Sequence, residues 1–328
     1  MSAGEAAGEG ETDLARRVIR GEPGAVARAI SLVEDRRPGS EGAIVLLLRV
    51  LAAGSDALRS HRVGITGPPG VGKSSLVSAL AREVRRSGRT VGVLAVDPSS
   101  PRSGGALLGD RARIDIDPDD TGFFVRSMAS GGDLGGLARA AGAAVDVLSA
   151  VYDVVLVETT GVGQSETDVE HVADTVLLVI QPGSGDVLQF LKAGIIEIPD
   201  LFAVNKADLG ALAERAASEL SGALAATHAG SGVRAFPVLL TAATTSRGVP
   251  ELLGALDAHR ADIAAAGDLR ARRDHRAARW ALRLVRARWG EEGIRALGGE
   301  GPALATLEER VRQGASGVEA AAGLLPRA

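Results

Sequence analysis

Residues 67–74 read Gly67-Pro68-Pro69-Gly70-Val71-Gly72-Lys73-Ser74, which matches the phosphate-binding loop pattern G-x-x-x-x-G-K-[ST] at every fixed position. The apolar residues 63–66 before it favour a strand, and residues 75–80 after it favour a helix. In such a loop, successive backbone N–H groups face phosphate oxygens at the positive end of a helix. We therefore predict a nucleotide site over Gly67 to Ser75, in which Lys73 contacts the β- and γ-phosphates and Ser74 ligates Mg²⁺. The alternative is a glycine-rich turn that binds nothing.

The composition of the 328 residues is that of a globular protein, with 45% hydrophobic residues and a net charge of −4. Cysteine is absent, so disulfides, thiolate metal sites and catalytic thiols are excluded. The acidic balance argues against a general nucleic-acid binder. Residues 1–12 are rich in Gly, Ala and Glu and predict a frayed tail, and no apolar run is long enough to cross a membrane. We expect a cytoplasmic protein.

Short apolar runs predict a mostly parallel sheet flanked by helices, because the runs lack the polar alternation of strands with one exposed face. These runs are Val63–Thr66, Val91–Val96, Val154–Val157, Val176–Ile180, Leu201–Val204 and Phe236–Leu240. The predicted fold class is α/β, of the P-loop NTPase type. We assign residues 1–56 to an N-terminal tail and helical segment, 57–266 to the nucleotide-binding domain and 267–328 to a C-terminal helical arm. Ligand-binding residues are expected at the carboxyl ends of the strands.

The segment Asn205-Lys206-Ala207-Asp208 follows the fifth run and predicts a guanine-binding loop. The Asp208 carboxylate can accept hydrogen bonds from N1–H and the 2-amino group of guanine, whereas adenine offers no such pair of donors. We expect the Lys206 stem to lie over the base and Asn205 to tie this loop to the phosphate-binding loop. Thr241, Ala242 and Ala243 follow the sixth run and are expected to line the same site. The alternative is an ordinary polar turn after a strand.

Asp97, Asp110 and Glu158 are candidates for binding Mg²⁺ and for catalysis. Glu158 ends the third run, where P-loop proteins place a metal-associated acid, and Gly161 can then offer a backbone N–H to the γ-phosphate. The next residue is Val162, where many small GTPases carry Gln, and an apolar side chain cannot orient water. Either Asp97 or Asp110 orients the water, or a partner completes the site, and both options predict slow unaided hydrolysis. The alternatives are a cap or turn role for Asp97 and a solvated position for Asp110.

Lysine is rare in this chain, since only Lys73, Lys192 and Lys206 are found among 37 basic residues. A chain that uses Arg almost everywhere is expected to keep Lys where a compact ammonium is needed. Lys192 is therefore a candidate catalytic residue. It ends a short amphipathic stretch, residues 187–192, that follows the Gly- and Pro-rich residues 181–186, and the two together are suited to a switch. The alternatives are a surface lysine and an ordinary connection between a strand and a helix.

Beyond Gly267 the sequence predicts a helix with two different faces. The apolar stripe comprises Ala277, Trp280, Ala281, Leu284 and Val285. The arginine stripe comprises Arg272, Arg276, Arg279, Arg283 and Arg286. A basic helix can indicate nucleic acid or membrane, but we interpret it as a solvated arginine face whose apolar stripe packs on the main domain or on a second subunit.

Together these segments resemble the MeaB-like P-loop GTPases that assist adenosylcobalamin-dependent acyl-CoA mutases, a family that includes the methylmalonic aciduria type A proteins. The resemblance spans roughly residues 14–325. The segments that carry it are Gly67–Ser75, Val96–Ser100, Leu108–Asp110, Leu134–Leu137, Glu158–Glu166, Gly183–Lys192, Gly194–Pro199 and Asn205–Asp208. One departure is Gly131-Gly132, where the family usually carries Arg-Gly, and we expect it to alter loop ordering or contact with the mutase.

The resemblance implies GTP hydrolysis with Mg²⁺ and a homodimer held partly by the C-terminal arm. It also implies a B12-dependent mutase as partner, on which GTP turnover gates the delivery of adenosylcobalamin and the removal of damaged cofactor; the cofactor itself belongs to the mutase. Asp97, Asp110 and Glu158 match the metal and switch carboxylates of the family, and Lys192 matches the lysine of an additional switch loop.

Three other functions are weighed against this one. Nickel insertion, as performed by relatives of the same GTPase class, requires His or Cys clusters, whereas the histidines are scattered along the chain. A kinase of a basic amino-acid transport system needs an acceptor pocket and has no use for guanine selectivity. The third alternative is a nucleotide-gated scaffold with negligible turnover.

Overall fold

The computed structural model describes residues 3–37, 39–97, 120–129, 140–159, 168–183, 198–227, 238–322 and 324, with the backbone alone for 3–8 and 97. The candidate site residues Asp110, Gly161 and Lys192 lie outside the described residues, as do Gly131 and Gly132.

A parallel sheet of seven strands forms the centre of the described structure. The strands are β1 (His61–Thr66), β2 (Val91–Asp97), β3 (Phe123–Ala129), β4 (Val154–Glu158), β5 (Thr175–Ile180), β6 (Leu201–Val204) and β7 (Val238–Leu240). Their order across the sheet is β3-β2-β4-β1-β5-β6-β7, and every pair is parallel. The predicted α/β fold class is confirmed, and β1, which leads into the phosphate-binding loop, occupies the middle of the sheet.

Ten helices surround this sheet in the described ranges. They are α1 (Ala3–Ile19), α2 (Pro23–Val33), α3 (Ser40–Gly54), α4 (Lys73–Arg86), α5 (Ala141–Ser149), α6 (Ala211–Thr227), α7 (Val249–Ala265), α8 (Leu269–Ala296), α9 (Glu300–Arg312) and α10 (Gly317–Ala322). The backbone of α8 leaves the helical conformation at Gly290, where the helix kinks.

The two faces of the sheet are covered by different helices, and β4 shows the division. Val155 and Val157 face a cluster formed with α1, α2, α3 and α5. Val154 and Leu156 face a second cluster formed with α4 and α7. Because both faces of the strand are buried, selection for polar residues at alternate positions is absent, which explains the uninterrupted apolar runs of the sequence.

Strand β3 was not among the six predicted strands, so the predicted sheet lacked one strand. It lies at the edge and pairs with β2 over its whole length, from Val91 opposite Phe123 to Asp97 opposite Ala129. Only Val125 and Met128 are fully buried in it, whereas Arg126 and Ser127 are partly exposed. An edge strand with so few buried residues has no continuous apolar run to reveal it.

The start of the chain also differs from its prediction. Helix α1 begins at Ala3, so most of the segment expected to be a frayed tail is helical. Alanine and glutamate, which make up half of residues 1–12, are strong helix formers. Downstream, Ala15 and Val18 are fully buried, so this helix is held by packing on α2 and α3.

The arginine stripe of α8 is solvated only in part, which corrects the prediction: Arg272 and Arg279 are exposed, whereas Arg276 and Arg283 bind the rest of the chain. Arg283 donates a 2.6 Å hydrogen bond to Asp168, and Arg276 donates to the carbonyl oxygen of Ala173. Arg273, from the same helix, pairs with Asp174 just before β5. The apolar stripe packs on α9 and α10 through residues such as Ala281 and Val285. Helix α8 is therefore held on both sides, and its neighbour on the arginine side is the main domain of the same chain.

The ion pair between Arg273 and Asp174 is almost completely buried, with side-chain exposures of 10% and 1%. Arg273 also donates to the carbonyl oxygens of Ala57 and Ser60, both at 2.6 Å. Burial by itself raises the pKa of Asp174, but hydrogen bonding and attraction from Arg273, together with Arg62, lower it to about 2. Asp174 therefore stays ionised in the folded protein and anchors the arm beside the first residues of β1.

A neutral histidine pair lies at the same edge of the sheet, where β1 and β5 begin. Thr175 Oγ1 lies 2.8 Å from His61 Nε2 and 2.8 Å from His259 Nδ1. One hydroxyl hydrogen serves one acceptor, so one ring donates to Thr175 and the other accepts from it. Protonation of the accepting ring would break this pattern. Burial, the main cause, lowers the pKa of His61 to about 4 and also lowers that of His259.

None of the helices in the described ranges is both long and apolar enough to cross a membrane.

Candidate nucleotide site

The phosphate-binding loop joins the end of β1 to the start of α4, at the carboxyl edge of the sheet. Gly67 and Gly72 have φ values of 144° and 90°, in the region that L side chains rarely adopt. A Cβ on Gly67 would lie 2.0 Å from the carbonyl oxygen of Val179, and one on Gly72 would lie 2.6 Å from Asn205 Nδ2. These two glycines therefore allow the loop to approach β5 and the Asn205 side chain.

Lys73 is the first residue of α4 and is buried. Its ammonium donates hydrogen bonds to the carbonyl oxygens of Gly67 at 2.8 Å and Pro68 at 2.9 Å. The Lys73 side chain thus extends back over the phosphate-binding loop to its first residues, into the region where the sequence pattern predicts the phosphates. Of the remaining loop residues, Val71 is buried, whereas Pro69, Gly70 and Ser75 are exposed.

Ser74 and Glu158 bring two side-chain oxygens together between α4 and the end of β4. Ser74 Oγ donates to Glu158 Oε1 at 2.7 Å, and Glu158 is buried. A hydroxyl and a carboxylate suit Mg²⁺, which prefers oxygen ligands and usually keeps waters and phosphates as its other partners. The donor set therefore fits that cation. The side chain of Asp97 and all of Asp110, predicted to join this set, lie outside the described residues.

Asn205 connects the predicted guanine-binding loop to the phosphate-binding loop. Its amide nitrogen donates to the carbonyl oxygen of Val71 at 2.9 Å. Its amide oxygen accepts from the backbone N–H of Ala243 at 3.2 Å and from Thr241 Oγ1 at 3.3 Å. Asn205 is 2% exposed, so solvent is almost completely excluded from its amide. One amide therefore holds three segments in register: residues 67–72, 205–208 and 241–243.

Thr241, Ala242 and Ala243 are all buried, and they form the second support of that loop. The backbone N–H of Ala207 donates to the carbonyl oxygen of Thr241 at 2.9 Å, and the N–H of Thr241 donates to Val204. Asp208, which directly follows Ala207, is exposed and carries its carboxylate on the solvent side of this hydrogen-bonded base. An exposed carboxylate on a fixed loop is available to a ligand.

Three residues at this edge were not predicted as parts of the nucleotide site. Gln181, which follows β5, accepts a hydrogen bond from the Lys206 ammonium. Thr66 is the last residue of β1, and Thr159 directly follows β4. Their hydroxyl oxygens lie 3.2 Å apart. The available signal was their position, since each is a polar residue at or just after the carboxyl end of a buried strand.

In the part of the chain that the structure describes, no three His, Cys, Asp or Glu side chains come together as a metal-binding group.

A family model described as "Methylmalonyl Co-A mutase-associated GTPase MeaB" matches residues 26–295 of this chain. A probable GTPase of Mycobacterium tuberculosis is 41% identical over 313 residues, covering 92% of this chain and 90% of that protein. The mouse methylmalonic aciduria type A homolog, a mitochondrial protein, is 36% identical over 279 residues, covering 82% and 67%.

Among solved structures, the crystal structure of LAO/AO transport system kinase matches with a TM-score of 0.64 and 28% sequence identity, covering 92% of this chain and 89% of that chain. The P-loop fold, the match to the family model and the curated relatives agree. The chain belongs to the MeaB family of methylmalonyl Co-A mutase-associated GTPases and is a P-loop enzyme that hydrolyses GTP.

Proposed function

We propose that this GTPase is an accessory protein of an adenosylcobalamin-dependent acyl-CoA mutase, of the methylmalonyl-CoA mutase type. GTP turnover gates the loading of the cofactor on the mutase and the removal of damaged cofactor. The observation that supports this most strongly is the Asn205 junction, within a family described as mutase-associated. The junction connects the base-binding and phosphate-binding segments, so a structural change that follows GTP hydrolysis at the phosphate-binding loop is transmitted to the base-binding loop.

In the proposed site, Asp208 binds the guanine edge, and Lys206 and Asn205 support it. Backbone N–H groups of residues 67–75 and the Lys73 ammonium bind the phosphates, and Thr241 to Ala243 line the base side. Rearrangement at Lys73 is required, because its ammonium donates to the carbonyl oxygens of Gly67 and Pro68 in this structure. The incoming phosphate oxygens are stronger acceptors than these carbonyls.

The metal-binding residues in this proposal are Ser74 and Glu158, together with Asp97 and Asp110. When bound, Mg²⁺ neutralises charge on the β- and γ-phosphates. Gly161 offers its N–H to the γ-phosphate, Asp97 or Asp110 orients the water, and Lys192 acts as the lysine of a second switch. Because Val162 replaces the glutamine of many small GTPases, hydrolysis is slow alone and the mutase stimulates it.

The proposal extends to assembly. We assign residues 57–266 to the GTPase domain and residues 267–328 to an arm that contributes to a homodimer in the cytoplasm, while residues 1–56 pack on the domain. Helices α8, α9 and α10 bury an apolar cluster of their own, and the second copy contacts the arm in this proposal.

A single assay tests this function against the alternatives. We expect slow GTP turnover that rises when apo or holo methylmalonyl-CoA mutase is added, and no turnover of ATP. The Lys73→Ala variant serves as the control for contaminating GTPases. Transfer of the γ-phosphate to a protein would favour the kinase, and nickel-dependent turnover would favour metal insertion. GTP turnover that no mutase changes would contradict the accessory role.

A further inference from the structure

Gln181 and Lys206 form a contact between two strand ends beside the proposed base site. Strands β5 and β6 pair in parallel up to Ile180 opposite Val204, so Gln181 and Asn205 are the next residues in each strand. From Gln181, the side-chain oxygen accepts a hydrogen bond from the Lys206 ammonium. The same ammonium donates to the carbonyl oxygen of Gly70 at 3.0 Å. Lys206 is thereby held between the exit of β5 and the phosphate-binding loop.

Lys206 also has an uncommon backbone conformation, with φ of 62° and ψ of 42°. Among non-glycine residues of the described ranges, only Lys206 and Ser246 have positive φ. Such a conformation costs about 1–3 kcal/mol and persists where surrounding contacts determine it. The backbone contacts are the bond from Asn205 N to Ile180 O at 2.8 Å and that from Ala207 N to Thr241 O at 2.9 Å. The Gln181 contact determines the side chain as these bonds determine the backbone.

We infer that Gln181 is a positioning residue for the purine base, acting through Lys206. By accepting a hydrogen bond from the Lys206 ammonium, Gln181 keeps the lysine side chain extended over the phosphate-binding loop. In this position the methylene stem packs against one face of the base. This inference rests on the proposed placement of guanine between Lys206 and Asp208. It adds a residue outside the Asn205–Asp208 segment to the determinants of nucleotide affinity.

The chemistry separates the roles of Gln181 and Asp208. A stem that packs on the face of the base contacts every purine alike, since each has a π-face. A carboxylate that accepts from N1–H and a 2-amino group distinguishes guanine from hypoxanthine, which lacks the amino group. Loss of the Gln181 contact is therefore expected to weaken the binding of GDP and the binding of IDP by the same factor. Loss of the Asp208 contact is expected to remove the difference in affinity between GDP and IDP.

Gln181→Met is the informative variant, because methionine keeps the length of the side chain and lacks the carbonyl oxygen. Gln181→Glu is the rescue variant, since its carboxylate accepts from the ammonium more strongly than an amide does. Gln313→Ala is the matched control, as Gln313 is exposed and its side chain donates to Glu309 in the helix that it follows. Calorimetry with Mg²⁺ gives the Kd of GDP and IDP, and steady-state assays give kcat and KM for GTP.

We expect Gln181→Met to raise both Kd values and the KM by about five- to twentyfold, as the loss of one charge-assisted hydrogen bond predicts. The kcat is expected to change by less than about twofold, because the lysine does not touch the reacting atoms. Gln181→Glu is expected to restore wild-type binding. The inference is overturned if Gln181→Met binds GDP like the wild type, if GDP and IDP weaken unequally, or if Gln181→Glu fails to rescue. Wild-type protein that binds ADP as well as GDP would instead overturn the proposed function.

Discussion

Asn205 Nδ2 lies 2.9 Å from the carbonyl oxygen of Val71, which joins the end of β6 to the phosphate-binding loop across the end of β5. The junction depends on Gly72, since a Cβ there would collide with the same amide nitrogen at 2.6 Å. Base recognition and phosphate binding thus share one buried hydrogen-bonded centre.

Replacement of Asn205 by Ala is expected to affect folding and nucleotide binding together. The carbonyl oxygen of Val71 and the N–H of Ala243 would lose their partner in a buried site, at a cost of about 1–3 kcal/mol for each group. We expect a lower urea midpoint without nucleotide and GDP binding at least about tenfold weaker by calorimetry. Thr241→Val, which removes only a 3.3 Å contact to the same amide, should have a smaller effect on both. Wild-type GDP affinity in Asn205→Ala would contradict the shared centre.

The pair of Ser74 and Glu158 provides a second prediction. Ser74→Ala and Glu158→Gln are expected to lower kcat for GTP by at least about a hundredfold, since metal stabilisation of the transition state is worth several kcal/mol. GDP affinity measured with EDTA should stay at the wild-type value, because the phosphate-binding backbone is intact. Ser221→Ala, at an exposed serine of α6, is the matched control. Mg²⁺ that tightens GDP binding equally in both variants and the wild type would exclude these residues from the metal site.

The buried pair of Arg273 and Asp174 is expected to hold the C-terminal arm on the sheet. Arg273→Met should lower the free energy of unfolding by about 3–5 kcal/mol, because it leaves the Asp174 carboxylate buried without its cation. Arg272→Met is the control on the same helix, since Arg272 is 44% exposed and lies 4.0 Å from Asp268. Urea unfolding at neutral pH compares the two variants. Equal stability of both would show that the ion pair of Arg273 with Asp174 does not help to hold the arm.

Acidification is expected to destabilise the protein well above the range in which carboxylates titrate. The pKa of His61 is lowered by burial to about 4, and burial with nearby arginines lowers that of His171 to about 4. A folded-state pKa below the ordinary 6.5 means that stability is full above pH 6.5 and is lost as pH falls toward 4. For His61 the loss is on the order of 3 kcal/mol across this window.

Urea unfolding at a series of pH values tests this behaviour. His61→Gln should flatten the pH dependence, since glutamine does not titrate and can still bond to Thr175. His275→Gln, at an exposed histidine, is the matched control. A stability curve with no slope between pH 6.5 and 4 in the wild type would contradict the buried neutral pair.

The fold was predictable from the sequence because the central strands are buried on both faces. Runs such as Val154–Val157 have no other function than packing, so their composition reveals them. Phe123–Ala129 was missed because an edge strand with Arg126 and Ser127 in it satisfies fewer apolar contacts. The start of α1 was likewise interpreted by its Gly-, Ala- and Glu-rich, acidic composition and not by the helix propensity of its Ala and Glu residues.

The site was predictable where a motif binds through its own backbone, as in residues 67–74. Pairings between distant segments were not. Asp168 and Asp174 partner the arginines of α8 from more than ninety positions away, and nothing in the pattern of either segment specifies the other. For the same reason, the pairing of Gln181 with Lys206 follows only from the register of β5 and β6.

The base-reading role of Asp208 is tested most directly by binding of GDP, ADP and XDP to the wild type and to Asp208→Asn, with Mg²⁺. An asparagine amide donates to the 2-oxo group of xanthine and accepts from its N1–H, so the variant should exchange guanine for xanthine. We expect the wild type to prefer GDP over ADP by at least about a hundredfold and Asp208→Asn to prefer XDP over GDP. Equal binding of GDP and ADP by the wild type, or unchanged preference for GDP in the variant, would contradict the guanine site.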